Sequence, residues 1–242
     1  MRLVSYNGQM EFQPLTDACI RTNYQHEHVV KTHKEHIQGK QVLDAGCWTG
    51  TLEGEIKKEG LDCTLVGSDI NTDALATARK SFPEYRFQEL DLTNPPQAFL
   101  DKYQHFFDTI FILDVIEHVP VGTEPKVLTT LNSLIKPNGT LILSTMVSHI
   151  FNFIDPAWFF GHRHYSSSKM QKLLKAGGFG VAKLELIGNI YWDVDMLFLY
   201  IYKHILHRPY KTSRWLYTKI LQGLVTGQAI PTRIYLQAKT NG

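Results

Sequence analysis

Aspartates follow several short apolar runs of the sequence, at the points where buried strands would end. They are Asp44, Asp69, Asp91 and Asp114. The carboxyl ends of parallel strands meet at one edge of a sheet, where ligands gather. Asp69 lies 19 residues beyond Gly50, a distance at which a carboxylate can accept hydrogen bonds from ribose hydroxyls. A ribose is therefore one candidate ligand, but this spacing alone leaves the ligand open.

A glycine turn follows the first apolar run. Residues 46–50 read Gly-Cys-Trp-Thr-Gly, directly after the strand-like residues 41–45 and before a helix-like stretch. Glycine at such a turn lets the backbone approach a ligand. A dinucleotide fingerprint would need further glycines at positions 48 and 51, which hold Trp48 and Thr51. A pyrophosphate is poorly accommodated there, so the sequence disfavours NAD.

Short β-rich apolar runs alternate with helix-like stretches from residue 41 onward. The strand-like runs are residues 41–45, 64–69, 85–91, 107–115, 140–146 and 181–187, and residues 231–239 form a last strand. The helix-like stretches are 22–37, 72–80 after a cap at Asn71 or Thr72, 122–135 before a Lys-Pro-Asn-Gly turn at 136–139, and 166–176 before Gly177-Gly178. The alternation predicts an α/β fold with parallel strands joined by crossover helices.

The composition excludes several classes of protein. The chain has 242 residues, of which 43% are hydrophobic and 20% charged, and it has three cysteines, Cys19, Cys47 and Cys63. Disordered, collagen-like and disulfide-scaffold proteins have other compositions. The sequence shows no apolar signal region behind Met1 and no 18-residue apolar run, so we expect a single domain in the reducing cytoplasm.

Charge is distributed unevenly along the chain. Residues 1–195 carry 18 Lys/Arg and all 23 acids, whereas residues 196–242 carry seven Lys/Arg and no acid. Such asymmetry is typical of proteins that bind an anionic partner, either a membrane or a nucleic acid. It is equally compatible with a basic face that is simply exposed to solvent.

The acids, the glycine turn and the segment Asp-Val-Ile-Glu-His-Val at 114–119 together carry a family resemblance. The set resembles class I S-adenosylmethionine (SAM) methyltransferases, and segment 114–119 is similar to the branch that contains the quinone-biosynthesis O-methyltransferases. The resemblance covers residues 41–187 and the final strand. It implies a Rossmann-like, doubly wound, seven-stranded sheet with an antiparallel last strand, and SAM as the cofactor.

The resemblance also implies roles for individual residues. The expected cofactor-binding residues are Asp44, Gly46 and Gly50 around the methionine moiety, Asp69 with Ile70 at the ribose, Asp91 with Leu92 at the adenine, and Asp114. Acidic strand ends suit a cofactor that carries a sulfonium cation and no phosphate. Trp48 departs from the family's usual Asp-x-Gly-x-Gly-x-Gly turn, and this departure puts the affinity for the cofactor in question.

Histidines are the candidates for proton transfer. His118 follows the fourth strand, and His162 and His164 precede the helix at 166–176 in a segment that resembles the family's His-x-x-x-Ser/Thr. Imidazole titrates near neutral pH, as a base for a hydroxyl nucleophile should. Some quinone-type relatives bind a divalent ion at the loop that corresponds to Glu117 and His118, but a structural role for Glu117 is nearly as compatible with the sequence. We therefore assign no metal ligand, and a divalent ion at Glu117 and His118 stays open as a weak alternative.

Four further histidines crowd the N-terminal helix. They are His26, His28, His33 and His36. No cysteine or carboxylate accompanies them in a ligand pattern, so we expect either a solvated helix face or a lid over the cofactor.

An insertion precedes the last strand, and it completes the predicted organisation. We divide the chain into an N-terminal helical cap at 1–39, a core at 40–188, the insertion at 189–230 and the last strand at 231–242. Within residues 196–219, the insertion combines an apolar run with aromatic and basic residues. It could contact a membrane or lipid substrate, close the site as a lid, form a homodimer face or bind nucleic acid.

The predicted function is SAM-dependent methylation of oxygen on a small acceptor, which could be amphipathic or lipid-linked. The protein would be cytoplasmic, with or without peripheral contact to a membrane. One alternative is an RNA methyltransferase, which the basic insertion favours, although the chain has no recognised RNA-binding module. A second alternative is a non-catalytic scaffold with the same fold.

Overall fold

A computed structural model describes residues 2–6, 9–13, 24–148, 162–225 and 231–240 of the chain. The strands are β1 (Arg2–Tyr6), β2 (Gln9–Gln13), β3 (Gln41–Ala45), β4 (Thr64–Asp69), β5 (Arg86–Glu89), β6 (Phe107–Leu113), β7 (Ile135–Met146), β8 (Phe179–Ile187) and β9 (Arg233–Thr240). The α-helices are α1 (Tyr24–Thr32), α2 (Thr51–Lys58), α3 (Thr72–Ser81), α4 (Gln97–Tyr103), α5 (Glu124–Leu134), α6 (Ser167–Ala176), α7 (Ile190–Tyr200) and α8 (Arg214–Val225).

Seven of the strands form one sheet in the order β5-β4-β3-β6-β7-β9-β8. The pairs from β5 to β7 are parallel, and β9 runs antiparallel to both of its neighbours. The prediction of a seven-stranded α/β sheet with an antiparallel last strand is confirmed. The strand order changes direction at β3 and β6, so their carboxyl ends open the crevice in which such sheets bind ligands.

The boundaries of β3 and β4 agree with the sequence, whereas β5 and β6 are shorter than predicted. β6 ends at Leu113 because Asp114 has a φ of 52°, a left-handed conformation that an extended strand cannot continue through. Residues 136–139, predicted as a turn, lie instead within β7. There the pairing with β6 shifts between Phe107 and Thr109, so the extra residues form an irregularity in the strand.

Helix starts follow the predicted capping chemistry at two places. The side chain of Asn71 accepts a hydrogen bond from the amide of Ala74 at 2.9 Å, and that of Ser166 accepts one from the amide of Lys169 at 3.2 Å. Each bond satisfies an amide that the first turn of a helix leaves without a partner. These caps fix where α3 and α6 begin.

The N-terminal region differs from the helical cap predicted at 1–39. β1 and β2 pair as an antiparallel hairpin, which the sequence analysis did not predict. The helix predicted at 22–37 is divided into α1 and a 3-10 turn at Lys34–His36, and residues 22 and 23 lie outside the described residues.

Cys47 and Cys63 are free thiols, and Cys19 lies outside the described residues.

Two apolar layers cover the sheet. Helices α4, α5 and α6 bury side chains such as Phe99, Leu128 and Met170 on one face. Helices α1 and α2 cover the other face, together with α7 and α8 of the insertion, which contribute Trp192 and Ile220. The insertion is therefore part of the domain's own packing. Its residues 226–230 lie outside the described part, and the division of the chain into cap, core and insertion stays a prediction.

A buried carboxylate ties the insertion to the N-terminal helix. Asp195 on α7 accepts hydrogen bonds from the hydroxyls of Tyr210 at 2.6 Å, Thr212 at 3.1 Å and Tyr24 at 3.4 Å. The Tyr24 ring also meets the Trp192 ring edge-on, with 4.7 Å between centroids.

Among the helices that the structure describes, none combines the length and apolar character needed to cross a bilayer.

Candidate functional site

A cleft of about 550 Å³ opens at the carboxyl ends of β3, β4, β5 and β6, with His26 of α1 on its wall. This volume lies within the usual range of small-molecule sites, roughly 300 to 1,000 Å³. Six of the predicted cofactor-binding residues line the cleft: Gly46, Asp69, Ile70, Asp91, Leu92 and Asp114. The topology thus brings together residues that are up to 68 positions apart in the sequence.

The glycine turn is held by the neighbouring strand. The amides of Gly46 and Cys47 donate to the carbonyl oxygen of Ser68 at 2.7 and 2.9 Å. Gly46 has a φ of 94°, and a Cβ placed on it would lie 2.2 Å from the side chain of Val115. A larger residue at position 46 would therefore displace Val115 from the cleft wall. Gly50 begins α2 in a left-handed conformation but does not itself line the cleft.

Asp69 organises the turn opposite Gly46. Its Oδ2 accepts the amide of Trp48 at 2.9 Å, and its Oδ1 accepts the amide of Asn71 at 2.8 Å. A carboxylate oxygen has more than one acceptor direction, so each oxygen can also accept from a ligand hydroxyl. The fixed carboxylate is suited to hold the two hydroxyls of a ribose.

Asp91 lies at the next strand end with apolar neighbours. Its Oδ1 accepts from the amide and the hydroxyl of Thr93 at 2.8 and 2.6 Å, and the Thr93 hydrogen bonds lower the pKa of its carboxyl. Leu90 and Leu92 line the same part of the cleft. Apolar walls beside an ionised acceptor suit a flat base that carries an amino group.

Asp44 lies beneath the cleft and is not part of its lining. It is buried next to Glu53 of α2. Burial and the nearby Asp69 carboxylate raise the pKa of Asp44 to about 8. Burial and the Asp44 carboxylate also raise the pKa of Glu53. Two neighbouring acids in a buried site favour retention of a proton, so we expect Asp44 and Glu53 to hold one at neutral pH.

Replacing Glu53 with glutamine should flatten the dependence of stability on pH. In the wild type, folding retains protons that the unfolded chain loses above about pH 4. The stabilisation that this pair provides is therefore complete below about pH 4 and is lost as the pH rises through about 8. Each proton contributes a slope of up to about 1.4 kcal/mol per pH unit. Urea unfolding between about pH 5 and about pH 9 measures this slope.

The exposed Glu35 provides the control for this measurement. Glu35→Gln should leave the slope unchanged, since its side chain is 71% exposed. A Glu53→Gln protein whose stability falls as steeply as that of the wild type would show that this pair does not retain the proton.

Asp114 is held by residues from distant parts of the chain. Its Oδ1 accepts the hydroxyl of Ser144 at 2.9 Å, and the Ser144 oxygen in turn accepts the side-chain amide of Gln25 at 2.8 Å. The buried guanidinium of Arg233 lies 3.9 Å from Asp114 and 4.0 Å from Asp193 of α7. These partners hold the carboxylate at the cleft wall despite its left-handed backbone.

His118 lies on the wall of the cleft beside Asp114. Its ring meets that of His162 edge-on, with 4.2 Å between centroids. Partial burial lowers the pKa of the His118 imidazole below its ordinary value. The neutral imidazole, which can accept a proton, therefore prevails at neutral pH.

The loop that carries His162 is fastened to the segment after β6. The guanidinium of Arg163 donates to the carbonyl oxygen of Ile116 at 2.8 Å, and the hydroxyl of Tyr165 donates to the same oxygen at 3.1 Å. The single proton of that hydroxyl can be shared with Glu124 Oε1, which lies 3.2 Å away. These bonds hold His162 against His118. His164 belongs to the same loop but does not line the cleft.

Glu117 is buried and does not line the cleft. Its Oε2 accepts the hydroxyl of Thr145 at 2.9 Å, and its Oε1 has no hydrogen-bond partner among the described residues. Burial and the Asp114 carboxylate raise the pKa of Glu117 to about 8. Within the described ranges, no three His, Cys, Asp or Glu side chains converge as a metal site would require.

Two residues of this site were not singled out by the sequence, and a third was named only as a member of a group. Gln25 and Arg233 lie far from the glycine turn, in the first helix and the last strand, and they join it only through the fold. His26 was visible only as one of four clustered histidines. His26 lines the cleft, whereas the ring of His33 lies 5.9 Å from that of His36 and His33 is not part of the lining. The choice between a lid and a solvated helix face stays a prediction.

The residues present fit SAM. Carboxylates at the ends of β4 and β5 offer acceptors for ribose and for an amino group, and the walls between them are apolar. The amino end of α2 follows the glycine turn and attracts a carboxylate, such as that of the methionine moiety. Among the described residues that line the cleft there is no Lys or Arg, which suits a cofactor without phosphate.

Comparisons with known proteins agree with this geometry. Residues 22–184 match the methyltransferase domain family. The ubiquinone biosynthesis O-methyltransferase of Photorhabdus laumondii subsp. laumondii is 32% identical over 138 residues, which cover 56% of this chain and 53% of that protein. The match therefore spans about half the length of this curated relative.

Solved structures share the fold. Phosphoethanolamine N-methyltransferase 2 of Haemonchus contortus, in complex with SAM, has a TM-score of 0.63 at 15% identity, over 90% of this chain and 53% of that chain. A SAM-dependent methyltransferase from Archaeoglobus fulgidus has a TM-score of 0.62 at 16% identity, over 91% of this chain and 95% of that chain. Since the family match covers more than half of the chain and agrees with its strand order and cleft, the protein belongs to the class I SAM-dependent methyltransferases.

Proposed function

We propose that the protein transfers a methyl group from SAM to a hydroxyl oxygen of a small, amphipathic acceptor in the cytoplasm. The observation that carries the proposal is the position of His118, on the cleft wall next to Asp114 and against His162. A neutral imidazole at this place can accept the proton of a hydroxyl group.

When bound, SAM supplies an electrophilic methyl group, and the carbon–sulfur electron pair returns to sulfur on transfer. The chain's own task is then to align the acceptor oxygen with that group and to remove its proton. His118 accepts the proton, and His162 restricts the orientation of the His118 ring. Asp114 lies beside His118 and can stabilise the imidazolium that forms.

Oxygen as the methylated atom is supported by the curated relatives, which are named ubiquinone biosynthesis O-methyltransferases. We extend the substrate class from this name to a phenolic hydroxyl on an amphipathic molecule. The cleft has mixed walls, with apolar Val115 and Val119 beside the polar group of Asp114 and His118. Such walls suit an aromatic ring that carries hydroxyl groups.

A methyl-transfer assay tests the proposal. The protein is incubated with methyl-labelled SAM and with separate sets of phenols, primary amines and RNA, and each product is identified by mass. We expect labelled ethers from phenols, in amounts equal to the demethylated cofactor. Labelled amines or RNA without ethers would contradict O-methylation, and cofactor binding with no labelled product from any set would favour the scaffold alternative.

We also propose that the insertion contacts an anionic lipid surface. Apolar and basic side chains are exposed next to one another along the insertion. We call this group the insertion surface. Its apolar members are Phe198, Tyr202, Ile205, Leu206 and Trp215, and its basic members are Arg208, Lys211 and Arg214. Aromatic side chains suit the headgroup region, and Lys and Arg are attracted to anionic lipid. The inner side of the insertion is already packed on the sheet, which supports an outward-facing role for this surface.

Replacing Arg208, Lys211 and Arg214 together with glutamine should weaken binding to anionic vesicles on the order of 100-fold, at about 1 kcal/mol for each charge. Co-sedimentation measures the loss. The wild type should bind anionic but not neutral vesicles, and added salt should weaken this binding because it screens the attraction.

Three exposed lysines elsewhere provide the matched control. Lys80, Lys172 and Lys175 replaced together with glutamine remove the same charge and should leave vesicle binding nearly unchanged. The lipid proposal is wrong if both triple variants bind alike. It is also wrong if the wild type ignores vesicles and forms a stable dimer through Phe198 and Trp215, or if it binds RNA tightly in a salt-sensitive manner.

A further inference from the structure

Trp48 combines an unfavourable backbone conformation with an exposed side chain. Its φ is 49°, in the left-handed region that favours glycine. Its indole lines the cleft and is 43% exposed. A bulky residue in this conformation is uncommon and calls for a compensating interaction. Contacts within the protein supply only part of this compensating interaction, because the indole remains partly exposed in the cleft.

A second exposed apolar side chain lies next to the same carboxylate. Ile70 directly follows Asp69, lines the cleft and is 65% exposed. Of the large apolar side chains that are exposed in the described part of the chain, Trp48 and Ile70 line this cleft. Apolar surface exposed inside a polar-rimmed cleft marks a ligand contact.

The position of Trp48 relative to the cofactor site is fixed by a hydrogen bond. Its amide donates to Asp69 Oδ2 at 2.9 Å. Asp69 is the acid suited to the ribose hydroxyls. The backbone of Trp48 would therefore lie beside the nucleoside, and its indole would be within reach of it. Adenine and ribose both offer apolar faces, and an aromatic ring stacks on such a face without needing a particular hydrogen-bond pattern.

We propose that the indole of Trp48 forms a wall of the cleft against the nucleoside half of SAM, with Ile70 beside it. The side chain supplies contact area that glycine at this position lacks. The backbone amide still binds Asp69, so the substitution of glycine by tryptophan keeps the turn and adds a contact. This inference concerns cofactor binding, and it stands whether or not the methylated atom is oxygen.

Calorimetric titrations of a Trp48→Gly variant test the proposal. Glycine adopts a positive φ without strain and keeps the amide that donates to Asp69, so the variant removes the indole alone. We expect the dissociation constants of SAM, its demethylated product and 5′-methylthioadenosine to rise by about 10-fold each. All three ligands share the nucleoside, and the last lacks the amino-acid moiety. Trp48→Phe should restore most of the affinity.

Two results would overturn the proposal. One is an unchanged or tighter affinity of Trp48→Gly for all three ligands, and the other is a loss confined to SAM, which would place the ring against the sulfonium. Fluorescence provides a readout that does not depend on the glycine variant. The cofactor-induced change in tryptophan emission should disappear in Trp48→Phe and persist in Trp215→Phe, whose indole lies outside the cleft. An emission change that persists in Trp48→Phe would equally reject the contact.

Discussion

Replacing Asp69 with asparagine is expected to weaken SAM binding by about 1.5 to 3 kcal/mol, or roughly 10- to 150-fold in the dissociation constant. The carboxylate is the acceptor suited to the ribose hydroxyls, and it already holds the amides of Trp48 and Asn71. An amide side chain offers one acceptor oxygen in place of two. Calorimetry with SAM and with its demethylated product measures the loss, which should be similar for both.

Asp73→Asn is the control for the cofactor site. This aspartate is exposed in the first turn of α3, four residues beyond Asp69, and does not line the cleft. Thermal unfolding of both variants shows whether the turn itself has changed. A folded Asp69→Asn protein with the affinity of the wild type would remove Asp69 from the cofactor site.

Replacing His118 with alanine is expected to lower turnover by about 10²- to 10⁴-fold, the usual range for loss of a general base. The affinity for SAM should remain nearly the same, because the imidazole acts on the acceptor. Burial lowers the pKa of His118, so the base is already deprotonated at neutral pH. In the wild type, turnover should therefore fall in acid, as the imidazole becomes protonated.

His105→Asn is the matched control, since His105 lies before β6, at the opposite edge of the sheet, and asparagine tolerates its positive φ. The variants His162→Ala and His164→Ala separate the three candidates. His162 contacts the ring of His118, so its loss should reduce turnover less than the loss of His118. Full turnover in His118→Ala on an identified hydroxyl substrate would exclude His118 as the base.

Much of the fold could be predicted because its signals are local. Apolar runs of the right length predicted the strands at 41–45 and 64–69 with their observed bounds, and Asn71 and Ser166 cap the helices as expected. The hairpin of β1 and β2 and the end of β6 were not predicted. β6 ends where Asp114 turns left-handed, and its carboxylate meets Ser144 and Arg233, which come from other strands.

The lining of the cleft was also predictable in large part, because the acids that line it follow directly after strands. Asp44 shows the limit of that argument, since its position in the motif does not reveal that it lies beneath the cleft against Glu53. Gln25, His26 and Arg233 reach the site only through tertiary packing. No spacing in the sequence marks them, because their partners lie in distant segments.

The most direct test of this account is a nuclear magnetic resonance measurement on the complex with SAM labelled by carbon-13 in its transferable methyl group. We expect isotope-filtered nuclear Overhauser effects between that methyl group and ring protons of His118, and none to His105. These signals should disappear in His118→Ala while the cofactor remains bound. A bound methyl group that shows contacts to other residues and none to His118 would contradict the central claim that this cleft presents the methyl group beside its base.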